Sequence, residues 1–349
     1  MFSKDSLFRI YGFSTIVSII LLFFIGTKFG LAALAVALML TALEITFSFD
    51  NAVINAKILQ RMSRGWQTVF LTLGILIAVF GVRLILPILL VALATGTGFT
   101  QIVDLALNHP DDYSHELERA HPFIVGFGGA FLLMIFLDFF LQDNKIKWLK
   151  KIEEFFAQLG RLQSLSIITA ITILLGTSRF VSGEEQNQFI TAGLAGLLVY
   201  LIIHSLDKLI HTKDGKGKVQ NTAVKQTFKA GLLGFVYLEI IDASFSLDGV
   251  IGAFAITKDI VLIAVGLGIG ALFVRAITIH MLRRNVIGKY RYLDHGAHYA
   301  IGALAVIMLS SIKYELPEVI VGLTGITIIG TTLVHSWLAN RKDEKRRNA

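Results

Sequence analysis

Glu44-Ile45-Thr46-Phe47-Ser48-Phe49-Asp50-Asn51 returns far downstream as Asp242-Ala243-Ser244-Phe245-Ser246-Leu247-Asp248-Gly249. Together the copies read acid-x-[Thr/Ser]-Phe-Ser-x-Asp-[Asn/Gly], with the same internal spacing. Each lies in the middle of a long apolar segment. A carboxylate at bilayer depth costs about 2.5–3.5 kcal/mol on insertion scales, so such residues mark an ion or substrate site. Two copies point to a pseudo-symmetric transporter with its site where two repeats meet.

Composition agrees with a bilayer environment. The chain has 349 residues, 54% of them hydrophobic and 16% charged, and a mean hydropathy of +0.69, which defines a polytopic membrane protein. The net charge of +7 does not imply nucleic acid, because the basic residues cluster between apolar runs. With no cysteine, disulfides, zinc–thiolate sites and thiol catalysis are excluded. The first apolar run lacks a small-x-small cleavage site and reads as a retained helix.

Apolar runs predict ten spans, near 8–26, 30–57, 67–94, 122–141, 164–181, 188–208, 229–256, 259–283, 296–313 and 316–338. Runs 30–57 and 229–256 are long enough for tilt or a break. With the N-terminus inside, Lys and Arg crowd the inner segments: Lys57 to Arg64, Lys145 to Arg161, Lys208 to Lys229, Arg283 to Arg291 and the C-terminal tail. The other side receives Lys28, Arg119, Arg179, Lys258 and Lys313. This bias places both termini in the cytoplasm. The expected fold is therefore an all-α membrane protein of about ten transmembrane helices in two inverted five-helix repeats, residues 1–187 and 188–349, in a bacterial plasma (inner) membrane.

The duplication extends beyond the motif. Gly74 precedes Arg83 by the same nine residues that separate Gly266 from Arg275. The following span begins near His121 and Gly126 in the first half, and near His295 or His298 and Gly302 in the second. Residues 95–121 read as a long external connection carrying Asp104, Asp111, Asp112, Glu116 and Glu118, either a solvated acidic loop or a metal-recruiting vestibule. Lys145–Leu162 sets Trp148, Leu149, Ile152, Phe155, Phe156 and Leu159 on one helical face among lysines, the pattern of an interfacial helix. Thr212–Lys218 reads as a flexible linker.

On an ideal helix Glu44, Ser48 and Asn51 share a face, whereas Asp50 lies about 120° away from Glu44. Unwinding near Ser48–Asn51 would bring both acids to one ion and free backbone carbonyls as further ligands. The candidate metal-ligating residues are Glu44, Ser48, Asp50, Asn51, Asp242, Ser246 and Asp248. Carboxylates, hydroxyls and an amide suit hard cations such as Mn²⁺, Mg²⁺ or Ca²⁺. Arg83 and Arg275 read as internal counter-ions, and Glu239 as a proton carrier or an additional ligand. Ser48 and Ser246 could instead bond backbone carbonyls one turn back.

The Glu-x-x-x-Ser-x-Asp-Asn element followed by a membrane arginine resembles the TerC family of integral membrane proteins, on Glu44, Ser48, Asp50, Asn51 and Arg83, then Asp242, Ser246, Asp248 and Arg275. The chain departs from the family's pattern at Asp242, Gly249 and in its additional spans. The resemblance implies divalent-metal handling, chiefly Mn²⁺ export. The expected function is a secondary transporter exporting a divalent cation as its substrate, with Mn²⁺ foremost and protons as the coupling ion. The alternative is a membrane partner in metallation of exported proteins, or in an envelope or tellurite stress response, without its own transport. No His-Glu-x-x-His or Gly-x-Ser-x-Gly element is present, so an enzyme is not expected, nor is a resident cofactor.

Overall fold

A computed structural model describes residues 7–160, 162, 164–212, 228–314 and 316–347, apart from the side chains of Arg9, Arg61, 206–212, 228–230, 244–248, Ile251, Ala255, Glu318, Val319, Glu344, Arg346 and Arg347. Each of the ten apolar runs falls on helix. The elements are α1 (Leu7–Phe47), α2 (Phe49–Arg61), α3 (Arg64–Leu76), a π-helical segment (Ile77–Ile85) and α4 (Leu86–Thr95). Then come α5 (Phe99–Asn108), α6 (Pro110–Phe140), α7 (Lys150–Leu159), α8 (Leu165–Ser178) and α9 (Gly183–Thr212). The remainder is α10 (Phe228–Ile256), α11 (Ile260–Arg283), α12 (Val286–Lys289), α13 (Leu293–Ser310) and α14 (Glu318–Arg347). No strand occurs among the described residues.

Among the described residues, six helical stretches are long and apolar enough to cross a bilayer: Ile10–Phe47, Arg64–Thr95, Pro110–Phe140, Gly183–Ser205, Ile260–Arg283 and Ile320–Asp343. Their outward faces carry apolar side chains that water would not tolerate in such density. Phe8, Phe13, Ile16, Ile19, Ile20 and Phe23 are all more than half exposed along α1. The buried core forms around α6, where Phe131, Leu132 and Met134 are almost fully enclosed. α6 packs on α9 and α13, while α11 packs on α1, α2 and the π segment.

The two long runs behave differently. Run 30–57 is broken twice. Gly30 takes φ 87° and ψ 178°, a conformation almost confined to glycine, and bends α1. Ser48, at φ −95° and ψ 15°, then separates α1 from α2. The chain bends there without unwinding: Ser48 N donates to Glu44 O at 2.9 Å and Ala52 N to Ser48 O at 3.1 Å. The carbonyl ligands expected from an unwound motif are therefore still occupied by helical hydrogen bonds. Run 229–256 is the continuous helix α10.

Other expectations need correction. Residues 95–121 are α5 and the first third of α6, not an open loop. Tyr113 and Leu117 are buried there, and Tyr113 packs on Phe254 with ring centroids 5.3 Å apart. Its acids disperse: Asp111 pairs with Lys258 at 2.6 Å and Glu116 with Arg119 at 2.9 Å. The expected interfacial helix is present as α7, with Ile152, Phe155 and Leu159 exposed. Its apolar surface is wider than one face, since Phe156 turns inward onto Phe140 at 4.7 Å. The linker expected at Thr212–Lys218 lies, beyond Thr212, outside the described residues.

Candidate functional site

The polar centre is built where the second part of α1, α2, the π segment, α10 and α11 converge. Glu44 on α1 and Arg83 on the π segment form an ion pair, both about as buried as any residue in the chain. Ser48 Oγ donates to the same Glu44 oxygen at 2.7 Å. The hydroxyl thus bonds a side chain one turn back rather than a backbone carbonyl. Arg83 Nη1 donates to Ala78 O at 2.7 Å, across the widened π turn that holds this residue.

Residues from distant parts of the chain complete the centre. Asn51 Nδ2 donates to Asp242 Oδ1, joining α2 to α10. Asp242 Oδ2 stands 4.0 Å from Arg83 Nη1. A second arginine sits close by. Arg275 on α11 donates to Phe70 O and Gly74 O, each at 2.6 Å, and to Glu239 Oε1 at 3.4 Å. Its guanidinium lies 4.0 Å over the Phe70 ring. Asp242 thus faces the first arginine and Glu239, three residues before it on α10, meets the second, so α10 joins the two ion pairs into one charge cluster.

Three glycines make this close approach possible. A Cβ on Gly270 of α11 would overlap the Glu44 side chain, and one on Gly74 of α3 would fall 2.6 Å from Glu239 Oε1. One on Gly266 would fall 2.6 Å from Leu40 Cβ. Thr41 Oγ1 donates to Gly266 O at 3.0 Å, tying α1 to α11 at that level.

The sequence-predicted residues divide into groups. Glu44, Ser48, Asn51, Asp242, Arg83, Arg275 and Glu239 come together. Asp50 is buried but turns aside, accepting from Asn51 N at 2.9 Å. The side chains of Ser246 and Asp248 lie outside the described residues. Among the described residues no group of three or more His, Asp or Glu side chains converges as a ready metal-binding set. Asp138 is held elsewhere, by the Tyr200 hydroxyl at 2.6 Å.

Sequence reasoning missed Asn55. It is 2% exposed, one turn beyond Asn51 on α2, and its Oδ1 has no hydrogen-bond partner. Asn51 Oδ1, Asp242 Oδ2 and Glu239 Oε2 are likewise buried without partners. An unpaired buried oxygen is costly, at about 1–3 kcal/mol each. Of these, the oxygens of Asn51 and Asp242 belong to side chains already in contact; a carboxylate oxygen can accept a proton, and carboxylate and amide oxygens suit a hard cation. The i, i+4 spacing of Asn51 and Asn55 within an apolar run was the available signal.

A bundle of long apolar helices around a buried, paired-charge interior defines a multi-pass, all-helical membrane protein. The chain belongs to the family described as Protein of unknown function (DUF475), which matches residues 49–343. The resemblance to the TerC family is overturned by that match, and the Mn²⁺ export it implied loses its support from kinship. The chain is also similar to "Uncharacterized membrane protein YceF" of Bacillus subtilis (strain 168), at 25% identity over 138 residues. That match covers 39% of this chain and 53% of the relative, about half its length. No solved structure matches.

Proposed function

We propose that this protein is a secondary carrier that exports a hard divalent cation across the plasma membrane through the Glu44–Asp242 centre. The observation that carries this reading is the buried contact between Asp242 and Asn51, facing Arg83, which leaves an oxygen of each without a hydrogen-bond partner. In this conformation Arg83 pairs with Glu44 and Arg275 with Glu239, so the charge of Asp242 is met only in part. An incoming dication would take over that charge, leaving Arg83 to its Ala78 carbonyl. Mn²⁺, Mg²⁺ and Ca²⁺ share this donor chemistry, and Mn²⁺ is the first substrate to test. Protons are the natural coupling ion, through Glu239 or Asp50. The reading is of a carrier rather than an enzyme.

The same proposal takes the ten helical runs as two inverted repeats, 1–187 and 188–349, with both termini cytoplasmic. Equal Gly74–Arg83 and Gly266–Arg275 spacings support it, as does the fact that Gly266 meets α1 much as Gly74 meets α10.

Ion flux into liposomes containing only the purified protein tests the function, with Mn²⁺, Mg²⁺ and Ca²⁺ offered separately. Asp242→Asn should lower flux of the transported ion by about tenfold or more, the worth of one charged ligand contact. Absence of flux for all three ions through the native protein would remove the reading.

A further inference from the structure

A second buried polar cluster lies where α7 meets the start of α13. Glu153 of α7 is 5% exposed and His295 of α13 is 3% exposed. Glu153 Oε1 accepts from Trp148 N at 3.2 Å, Leu149 N at 3.0 Å and the Tyr299 hydroxyl at 3.1 Å. This one carboxylate therefore holds both the chain entering α7 and the side of α13. His295 Nε2 lies 2.8 Å from Ile146 O and so carries a hydrogen. The same nitrogen is 3.5 Å from Glu153 Oε2. Two atoms are left over: Glu153 Oε2 and His295 Nδ1 are buried without hydrogen-bond partners.

The charges around this pair are otherwise balanced. On its α13 side, Asp294 meets Lys57 of α2 at 2.6 Å and His298 at 3.3 Å. Lys147 is paired with Asp143 at 2.8 Å. His335 of α14 receives the Trp148 indole N–H at Nδ1, 2.9 Å away. From α6 come aromatic rings: Phe139, stacked on His298 and edge-on to His295, with Phe136 and Phe140 edge-on to Tyr299. With His295 neutral, Glu153 is a buried negative charge whose Oε2 has no hydrogen-bond partner, and Lys147, the described cation that acts on it, is itself held by Asp143. Burial of an uncompensated charge is strongly unfavourable, and one proton on the imidazole cancels it.

We propose that Glu153 and His295 form a proton-binding site separate from the Glu44–Asp242 centre, and that the proton held there fastens α7 to α13. Proton uptake at Nδ1 converts His295 to an imidazolium, whose positive charge then faces Glu153 Oε2 across the 3.5 Å from Nε2 while the Nε2–H stays on Ile146 O. Loss of the proton leaves the Glu153 charge uncancelled and loosens α7. The site does not depend on which ion the carrier moves.

The absence of cysteine from the sequence allows a clean test on the full chain in nanodiscs. Ala157, on the α7 face turned to the bundle, is replaced by Cys, and exposed Gln158 is replaced by Cys as the reference. The ratio of their rates of modification by a maleimide is followed from about pH 5.5 to about 8.5, spanning the ordinary imidazole range. Burial raises the thiol's own pKa, so the slope is read against the same two cysteines in the Glu153→Gln and His295→Gln backgrounds, where that titration is unchanged. The native ratio should rise with pH more steeply than in those backgrounds, by at most about tenfold per unit for one released proton. Glu153→Gln and His295→Gln should remove that excess, whereas His298→Gln should keep it. A flat native profile, or a native slope surviving in both variants, would overturn the site. Should either variant fail to insert, the native profile alone still decides against it if flat.

Discussion

Glu44 and Arg83 show how far a residue's role depends on its neighbours. Their separation in sequence is wide, yet both are buried, paired, and served by Ser48 and Ala78. Breaking such a pair from one side leaves an uncompensated charge, at a cost of about 3–5 kcal/mol, whereas removing both charges costs much less. Arg83→Gln should therefore lower the midpoint of thermal unfolding in detergent more than the Glu44→Gln, Arg83→Gln double variant does. Equal losses in the two would show that the pair is not the coupled unit described. That each arginine meets a carboxylate was legible in the sequence, because an arginine inside an apolar run must find one. Which carboxylate Arg275 meets was not. Glu239 lies three residues before Asp242, and the choice between them rests on Gly74 letting α10 come close to α3. An eight-residue motif likewise carried too little to fix the family, since short runs of acid, Ser and Phe arise wherever helices bury a polar centre.

At the level of elements, hydrophobic periodicity located the helices, and long runs marked where one breaks. The position of the break followed from backbone chemistry. Gly30 occupies a conformation that other residues enter only at a cost of about 1–3 kcal/mol, and nothing lies within 4 Å of a Cβ added there. Gly30→Ala should therefore destabilise the protein by about that amount through strain alone. Gly325→Ala, equally uncrowded but helical, should be neutral or slightly stabilising. Chemical denaturation of the two variants in mixed micelles measures the contrast, and equal midpoints would contradict the kink. Two features escaped the sequence reading. The helical start of α6 was hidden by its polar surface, because water-facing residues mask the buried stripe of Tyr113 and Leu117. The π segment was hidden because a one-residue widening leaves no mark on an apolar pattern.

For the whole molecule, the strongest sequence signal was the distribution of basic residues between apolar runs. It predicts the sidedness of elements whose helical state the structure gives. Single cysteines at Lys150 and Lys345 should resist an impermeant maleimide in intact cells, and those at Asp112 and Lys258 should react. Labelling at Lys150 with protection at Asp112 would invert the topology. Such a result would leave the buried charge centre where it is, since that rests on packing and not on orientation.

The order of the ion pairs along the chain bears on biogenesis. Glu44 precedes Arg83, and Glu239 precedes Arg275. Synthesis runs from the N-terminus, so each arginine leaves the ribosome after its carboxylate has already emerged. An arginine entering hydrocarbon alone faces about 2.5–3.5 kcal/mol on insertion scales. Here each can enter as the second strand of a hairpin whose first strand supplies the opposite charge. The translocon is thus offered each arginine together with a carboxylate, and the contacts of Asp242 with Arg83 and Asn51 are made when the later helices meet the earlier ones.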